Sequence, residues 1–162
     1  MLALKLGLSL VSTRKLGGWS PDDESSLVAW YQNQVGITLN GSDVSQWDDS
    51  STNSYDMVQA TASEQPAYSA GVLTFVSANS ENLQTAGQIS LTGDFTLGLR
   101  INTSTTNGAF LADNTSANEF FKYSSSTRVL LKIAGSASTA LDLDSGTFGD
   151  DYLVITRASD VL

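Results

Sequence analysis

Turn chemistry interrupts this chain so often that little room is left for a long helix. Asn40-Gly41-Ser42-Asp43, Asp48-Asp49-Ser50-Ser51-Thr52-Asn53, Ser69-Ala70-Gly71, Thr92-Gly93-Asp94, residues 102–108, Asp113-Asn114 and Ser124-Ser125-Ser126 are all runs of Asn, Asp, Ser, Thr, Gly and Ala. Asn, Asp and Ser side chains hydrogen-bond nearby backbone, and Gly and Asn tolerate left-handed dihedrals, so such runs reverse the chain. Between them lie short stretches rich in β-branched and aromatic residues: 72–77, 95–102, 108–112, 119–124, 128–134, 139–142 and 151–157. Short strands at close spacing, with no strand–helix–strand unit between them, predict an all-β, antiparallel fold of two stacked sheets, a β-sandwich. Ser and Thr make up roughly a quarter of the residues, well above globular norms. Hydroxyl-rich strands and turns account for that excess.

The first twenty residues follow a different rule. Leu2, Leu4, Leu6, Leu8 and Leu10 alternate with Ala3, Lys5, Gly7 and Ser9, the period of a strand with one apolar face. A secretory leader would carry a continuous apolar run and a small-residue cleavage site, whereas here Lys5 and the small residues break the run. Gly17-Gly18 reads as a hinge and Trp19 as an anchor. The expected organisation is therefore an N-terminal arm, 1–20, and one β-sandwich domain, 21–162, with the closing turn at Ala158-Ser159-Asp160 suggesting that the natural chain continues. Leu27 to Tyr31 is apolar and reads as core, either as a strand or as one helical turn.

Charge and composition remove several function classes. Eight Lys and Arg stand against seventeen Asp and Glu, a formal charge of -9. Such a field repels phosphate backbones, and no basic stripe offsets it, so nucleic acid is not an expected partner. The absence of His removes the usual general base and the commonest transition-metal ligand. The absence of Cys removes thiolate zinc sites and disulfides, and leaves the compartment open. No apolar run is long enough for a membrane span, so no membrane insertion is expected.

Carboxylates are the remaining candidates for chemistry. Asp48-Asp49, Asp142-x-Asp144 and Asp150-Asp151 are close pairs, and of these only Asp142 and Asp144 share a face of a strand. Asp142-Leu143-Asp144-Ser145-Gly146 offers hard oxygen ligands of the kind calcium takes, but lacks the further acidic positions of a helical calcium loop. The plainer reading is that these residues solvate a turn. Asp142 and Asp144 are thus the one metal candidate, for calcium, and no cofactor is required.

From residue 27 onward a series of motifs resembles the laminin-G-like or concanavalin A-like jelly-roll domains of virion proteins from tailed phages of marine and cyanobacterial hosts. These are Leu27-Val28-Ala29-Trp30-Tyr31, Val44-Ser45-Gln46-Trp47-Asp48-Asp49-Ser50, Gln59-Ala60-Thr61, Gln65-Pro66-Ala67-Tyr68, Leu73-Thr74-Phe75 and Leu83-Gln84-Thr85. The resemblance spans roughly residues 27 to 157 and speaks to fold more than to function. It implies a jelly roll and a structural role in the particle, and related domains that bind calcium at a rim keep a calcium site in view without assigning its residues. Concanavalin A-like glycosidases carry two Glu with an Asp between them on one strand face. Here Glu24, Glu64, Glu81 and Glu119 are far apart, and that motif is missing.

A non-enzymatic virion protein is therefore expected, at the particle surface, most naturally a capsid decoration or head fibre, with a neck or tail component as the variant. Leu2, Leu4, Leu6, Leu8, Leu10 and Trp19 would hold it to the major capsid protein or another virion protein, and copies would form a homo-oligomer in the particle. The alternative is a carbohydrate-binding or receptor-binding module that takes a host surface glycan. Trp30, Trp47, Tyr55 and Tyr68 are either core and edge-covering aromatics or sugar-stacking platforms. An Asp-dependent glycosidase would need a carboxylate pair across a cleft.

Overall fold

A computed structural model describes residues 19–91, 93–102, 108–112, 120–133 and 138–158. The arm, with Leu2, Leu4, Leu6, Leu8 and Leu10, lies outside the described residues. The chain divides into two compact units, Met1–Gly87 and Gln88–Leu162. Every sheet is antiparallel, and the helical segments among the described residues are single 3-10 turns. The all-β, antiparallel expectation is met.

The first unit is a small sheet of short strands: β1 (Ile37–Asn40), β2 (Asp43–Trp47), β3 (Met57–Val58), β4 (Ala67–Ser69), β5 (Val72–Thr74) and β6 (Gln84–Thr85). Their order is β5-β4-β2-β3-β6, with β1 also on β2. Asn40 to Asp43 reverses the chain between β1 and β2, with Gly41 at φ 69. Ala70 and Gly71 join β4 to β5 with φ of 50 and 81, the primed two-residue turn whose twist suits a hairpin. Pro66 is buried immediately before β4, where its missing N–H is no loss, and its carbonyl accepts from Val44 N–H at 2.8 Å.

Apolar burial in this unit is slight. Val44 and Pro66 are fully enclosed, while the other buried residues described are polar: Ser20, Asp49, Gln59 and Gln65. Side-chain hydrogen bonds replace packing. Gln65 Nε2 donates to the Gln59 carbonyl at 2.7 Å, Asn40 Nδ2 donates to Gln65 Oε1 at 3.0 Å, and Gln59 Oε1 accepts from Thr61 N–H at 2.9 Å. Buried amides tolerate this setting because each finds a partner.

The second unit has an apolar core between two sheets. β7 (Phe95–Asn102) pairs with β12 (Asp150–Arg157) over eight residues. β8 (Ala109–Ala112), β9 (Phe120–Ser125), β10 (Arg128–Lys132) and β11 (Thr139–Asp142) form the other sheet in the order β11-β10-β9-β8. Phe121, Tyr123, Val129, Leu131 and Ile133 meet Ile155, with Phe95, Leu97, Ile101 and Leu153 packed around them. Along β7 the apolar residues at 95, 97, 99 and 101 are half-buried, and those between them are exposed, the alternation a one-sided strand requires. Phe121 meets Phe95 edge to face at 6.5 Å, and Tyr123 meets Phe148 at 4.6 Å. The Tyr123 and Ser124 hydroxyls are buried, with no hydrogen-bond partner among the described residues. Two sheets sharing one apolar interior give this unit a sandwich-like arrangement.

Candidate binding surfaces

Asp49 is an enclosed carboxylate with several hydrogen-bond donors. It is 8% exposed, and its carboxylate accepts from Trp30 N–H at 2.8 Å, Ser51 N–H at 2.8 Å, Ser51 Oγ at 2.6 Å and Tyr55 N–H at 3.0 Å. Burial pushes its carboxyl up, but these donors together outweigh that and hold it below the ordinary 3.8. Asp49 N–H in turn donates to Asp56 Oδ1 at 2.9 Å. Leu27 to Tyr31 is thereby docked without joining a ladder. Ser50 N–H donates to the Trp30 carbonyl at 2.7 Å, and Asn53 Nδ2 donates to the Leu27 and Val28 carbonyls, both at 2.9 Å. The segment is neither strand nor helical turn, and Val28 is exposed; side chains from residues 49–53 do the work a neighbouring strand would do.

Tyr31 and Trp47 of this unit are held in the fold by hydrogen bonds and ring contact. Trp47 Nε1 donates to the Gln32 and Val35 carbonyls, both at 3.1 Å, and its ring tilts against Tyr31 at 5.6 Å. The Tyr31 hydroxyl donates to the Tyr55 carbonyl. Burial pushes the Tyr31 phenol well above its usual range, and the Asp49 and Asp56 charges add to the shift. Trp30, Trp47, Tyr55 and Tyr68 are all half-buried, which suits edge-covering better than a free stacking platform. Gly36 is needed beside them: its φ is +67, and a Cβ there would stand 2.6 Å from Asp48 Cβ.

Trp19, 58% exposed, stands just before the 3-10 turn Pro21–Asp23. Asp142 ends β11, and both its oxygens accept from Arg128 across the ladder, at 2.6 and 2.9 Å. The guanidinium holds the Asp142 carboxyl below its usual value. Asp144 is exposed in the following bend. Among the described residues no three acidic side chains gather where they could hold a metal ion. Both oxygens of Asp142 are thus already committed to a cation of the protein itself. Among the same residues, no helix is long and apolar enough to cross a membrane.

A surface that the sequence did not single out lies on the outer face of β7 and β12. Tyr152, 73% exposed, and Val154, 68% exposed, are the most open large apolar side chains described. Arg100 sits opposite Tyr152 in register, with its guanidinium 5.6 Å from the ring centroid. The same guanidinium donates to both Asp150 oxygens, at 3.0 and 2.8 Å. Gly98 opposes Val154, and Thr96 meets Thr156 at 3.3 Å. Alternation in 95–102 and 151–157 was enough to place Arg100 and Tyr152 on outward faces; what brought them together was the register, which alternation alone does not give.

Comparison with known proteins finds no matching family model, no matching curated protein and no matching solved structure.

Proposed function

We propose that the chain is a non-enzymatic structural protein of a tailed-phage virion, with residues 1–20 as an anchoring arm and 21–162 as a projecting body of jelly-roll, concanavalin A-like topology. Its place is the particle surface, as a capsid decoration or head fibre bound to the major capsid protein. The observation that carries this reading is the period-two apolar arm, Leu2 to Leu10, joined through Gly17-Gly18 to an all-β body. A strand with one apolar face and free backbone groups is suited to completing a partner's sheet. Each fully buried Leu contributes roughly 1.5 to 3 kcal/mol before the cost of ordering the segment. The acidic body supports the reading, because like-charged copies stay dispersed until the arm engages.

The test replaces Leu4, Leu6 and Leu8 by Ser and measures how much protein stays on purified particles. Loss of the variant from particles, with its circular dichroism spectrum unchanged, is the expected result. Retention equal to the natural chain would move the attachment to the body and remove the arm from the interface.

The glycan-binding alternative draws support from one observation, the open Tyr152 ring flanked by Arg100 and Asp150. Aromatic faces stack on sugars while neighbouring polar groups bond hydroxyls. A glycan array with the natural chain and Tyr152→Ala separates the two: reproducible hits lost in the variant favour the lectin, and silence favours the structural role.

A further inference from the structure

We infer that Asn40 is a self-modification site: the backbone nitrogen of Gly41 displaces the Asn40 side-chain amide, and the acid so formed uncouples the β1–β2 turn from the buried amides of Gln65 and Gln59. Asn40 closes β1 opposite Asp43, with Gly41 and Ser42 as the two central residues of the turn. Gly41 stands at φ 69, the Gly-first pattern of a two-residue hairpin. Asn40 and Gly41 are both exposed, so water reaches the site. An asparagine side chain closes a five-membered ring with the backbone nitrogen of the residue after it, and a side chain on that residue shields the nitrogen. Glycine has no such shield. Among the described residues Asn40 alone precedes a glycine, since Asn33, Asn53, Asn79, Asn82 and Asn102 precede Gln34, Ser54, Ser80, Leu83 and Thr103.

The reaction consumes water and nothing else. Gly41 N loses its proton and bonds to Asn40 Cγ, the Cγ–Nδ2 bond breaks, and Nδ2 leaves as ammonia. Water then opens the cyclic imide. Opening at the Cγ–N bond gives aspartate. Opening at the main-chain carbonyl carbon gives isoaspartate, whose backbone runs through the side chain and is one methylene longer. Asn40 Nδ2 donates to Gln65 Oε1 at 3.0 Å, so ring closure follows release of that bond.

The hydrogen bonds around Asn40 have a direction that the product reverses. Gln65, 5% exposed, accepts from Asn40 and donates through Nε2 to the Gln59 carbonyl at 2.7 Å. An ionised carboxylate at position 40 only accepts, so it would meet Gln65 Oε1 acceptor to acceptor. Turning the Gln65 amide over moves the conflict to the Gln59 carbonyl, and a buried acceptor left without its donor is destabilising. Asp43 adds a second penalty, because it lies directly across the ladder from residue 40, where like charges destabilise. Isoaspartate adds a third. The β1–β2 register already shifts between Thr38 and Leu39, which leaves Leu39 and Asn40 as the last two pairs before the turn, and a lengthened backbone at residue 40 breaks their match to Val44 and Asp43.

The test ages the purified natural chain at mildly alkaline pH and locates the change by fragment-ion mass spectrometry. Asn40 should gain one mass unit, as a mixture of aspartate and isoaspartate, before Asn53, Asn79 or Asn82 changes. The gain should quicken as the pH rises, because the attacking nitrogen must lose its proton. The sequence holds a second Asn-Gly pair, Asn107-Gly108; position 107 lies outside the described residues, and its conversion is scored separately. Asn40→Gln should abolish the gain at position 40, since its ring would have six members. Asn40→Asp, which supplies the acid without the ring, should lower the urea midpoint read from Trp fluorescence, and the aged natural chain should fall at least as far. Conversion at Asn53, Asn79 or Asn82 ahead of Asn40, aspartate formed without isoaspartate, or a midpoint for Asn40→Asp equal to that of the fresh natural chain would each overturn the inference.

Discussion

At Asp49, four donors converge on one enclosed carboxylate, and they come from three residues, Trp30, Ser51 and Tyr55. In the sequence this residue is half of an Asp-Asp pair inside a polar run, legible as a turn and as part of the Val44–Ser50 motif, with no sign of what it holds. Its importance depends on Trp30, nineteen residues away, and no local pattern encodes that distance. Asp49→Asn should cost about 3 kcal/mol, since it removes the charge and points N–H groups at N–H groups. Because the folded carboxyl titrates below the ordinary 3.8, its contribution is complete above that value and is lost as the pH falls through the folded one. Urea midpoints of the natural chain should drop on acidification through this window, and those of Asp49→Asn should drop less. Equal slopes would mean that another carboxylate controls acid unfolding.

Among the elements, the strands of the second unit were legible and those of the first largely were not. β7 and β11 coincide with the stretches read between turn runs, and β12 begins one residue earlier than expected. These strands carry enough alternating apolar residues to declare a face, whereas β3 and β6 are two residues each and acquire their identity from their ladder partners, β3 from β2 and β6 from β3. Leu27 to Tyr31 shows the converse, an apolar run that looks like an element and is held by side chains instead. The Ala70-Gly71 turn was read correctly as a reversal, but Ala at φ 50 is a poor choice for it. Ala70→Asn should stabilise the β4–β5 hairpin by about 1 kcal/mol. A lowered urea midpoint would show that the Ala70 methyl makes a contact worth more than the strain. Gly71 is constrained by its φ of +81, and a Cβ there would also push the Gln34 side-chain amide aside.

For the whole molecule, the two units differ in what holds them: buried amides and carboxylate in one, an apolar interlayer in the other. Charge, hydropathy and the missing His and Cys narrowed the chemistry from sequence, yet gave no sign of this division, because polar groups buried with partners look like surface until their partners are known. All three Trp residues, Trp19, Trp30 and Trp47, belong to the first unit, so their fluorescence follows that unit alone. Leu131 is fully enclosed in the other, and Leu131→Ala should cost about 3 kcal/mol there. The circular dichroism transition should then broaden and shift to lower urea while the Trp transition stays in place. Transitions that moved together would show the two units unfolding as one.

The register of β7 and β12 also fixes how the second unit answers to force. The chain enters β7 at Phe95 and leaves β12 at Arg157, and these residues are directly opposed. Tension drawn along the chain therefore arrives at one end of the ladder and peels it, loading Phe95 and Arg157 first, then Thr96 and Thr156, and Asn102 and Asp150 last. A ladder pulled this way yields bond by bond at low load, whereas the same eight pairs pulled lengthwise would have to break together.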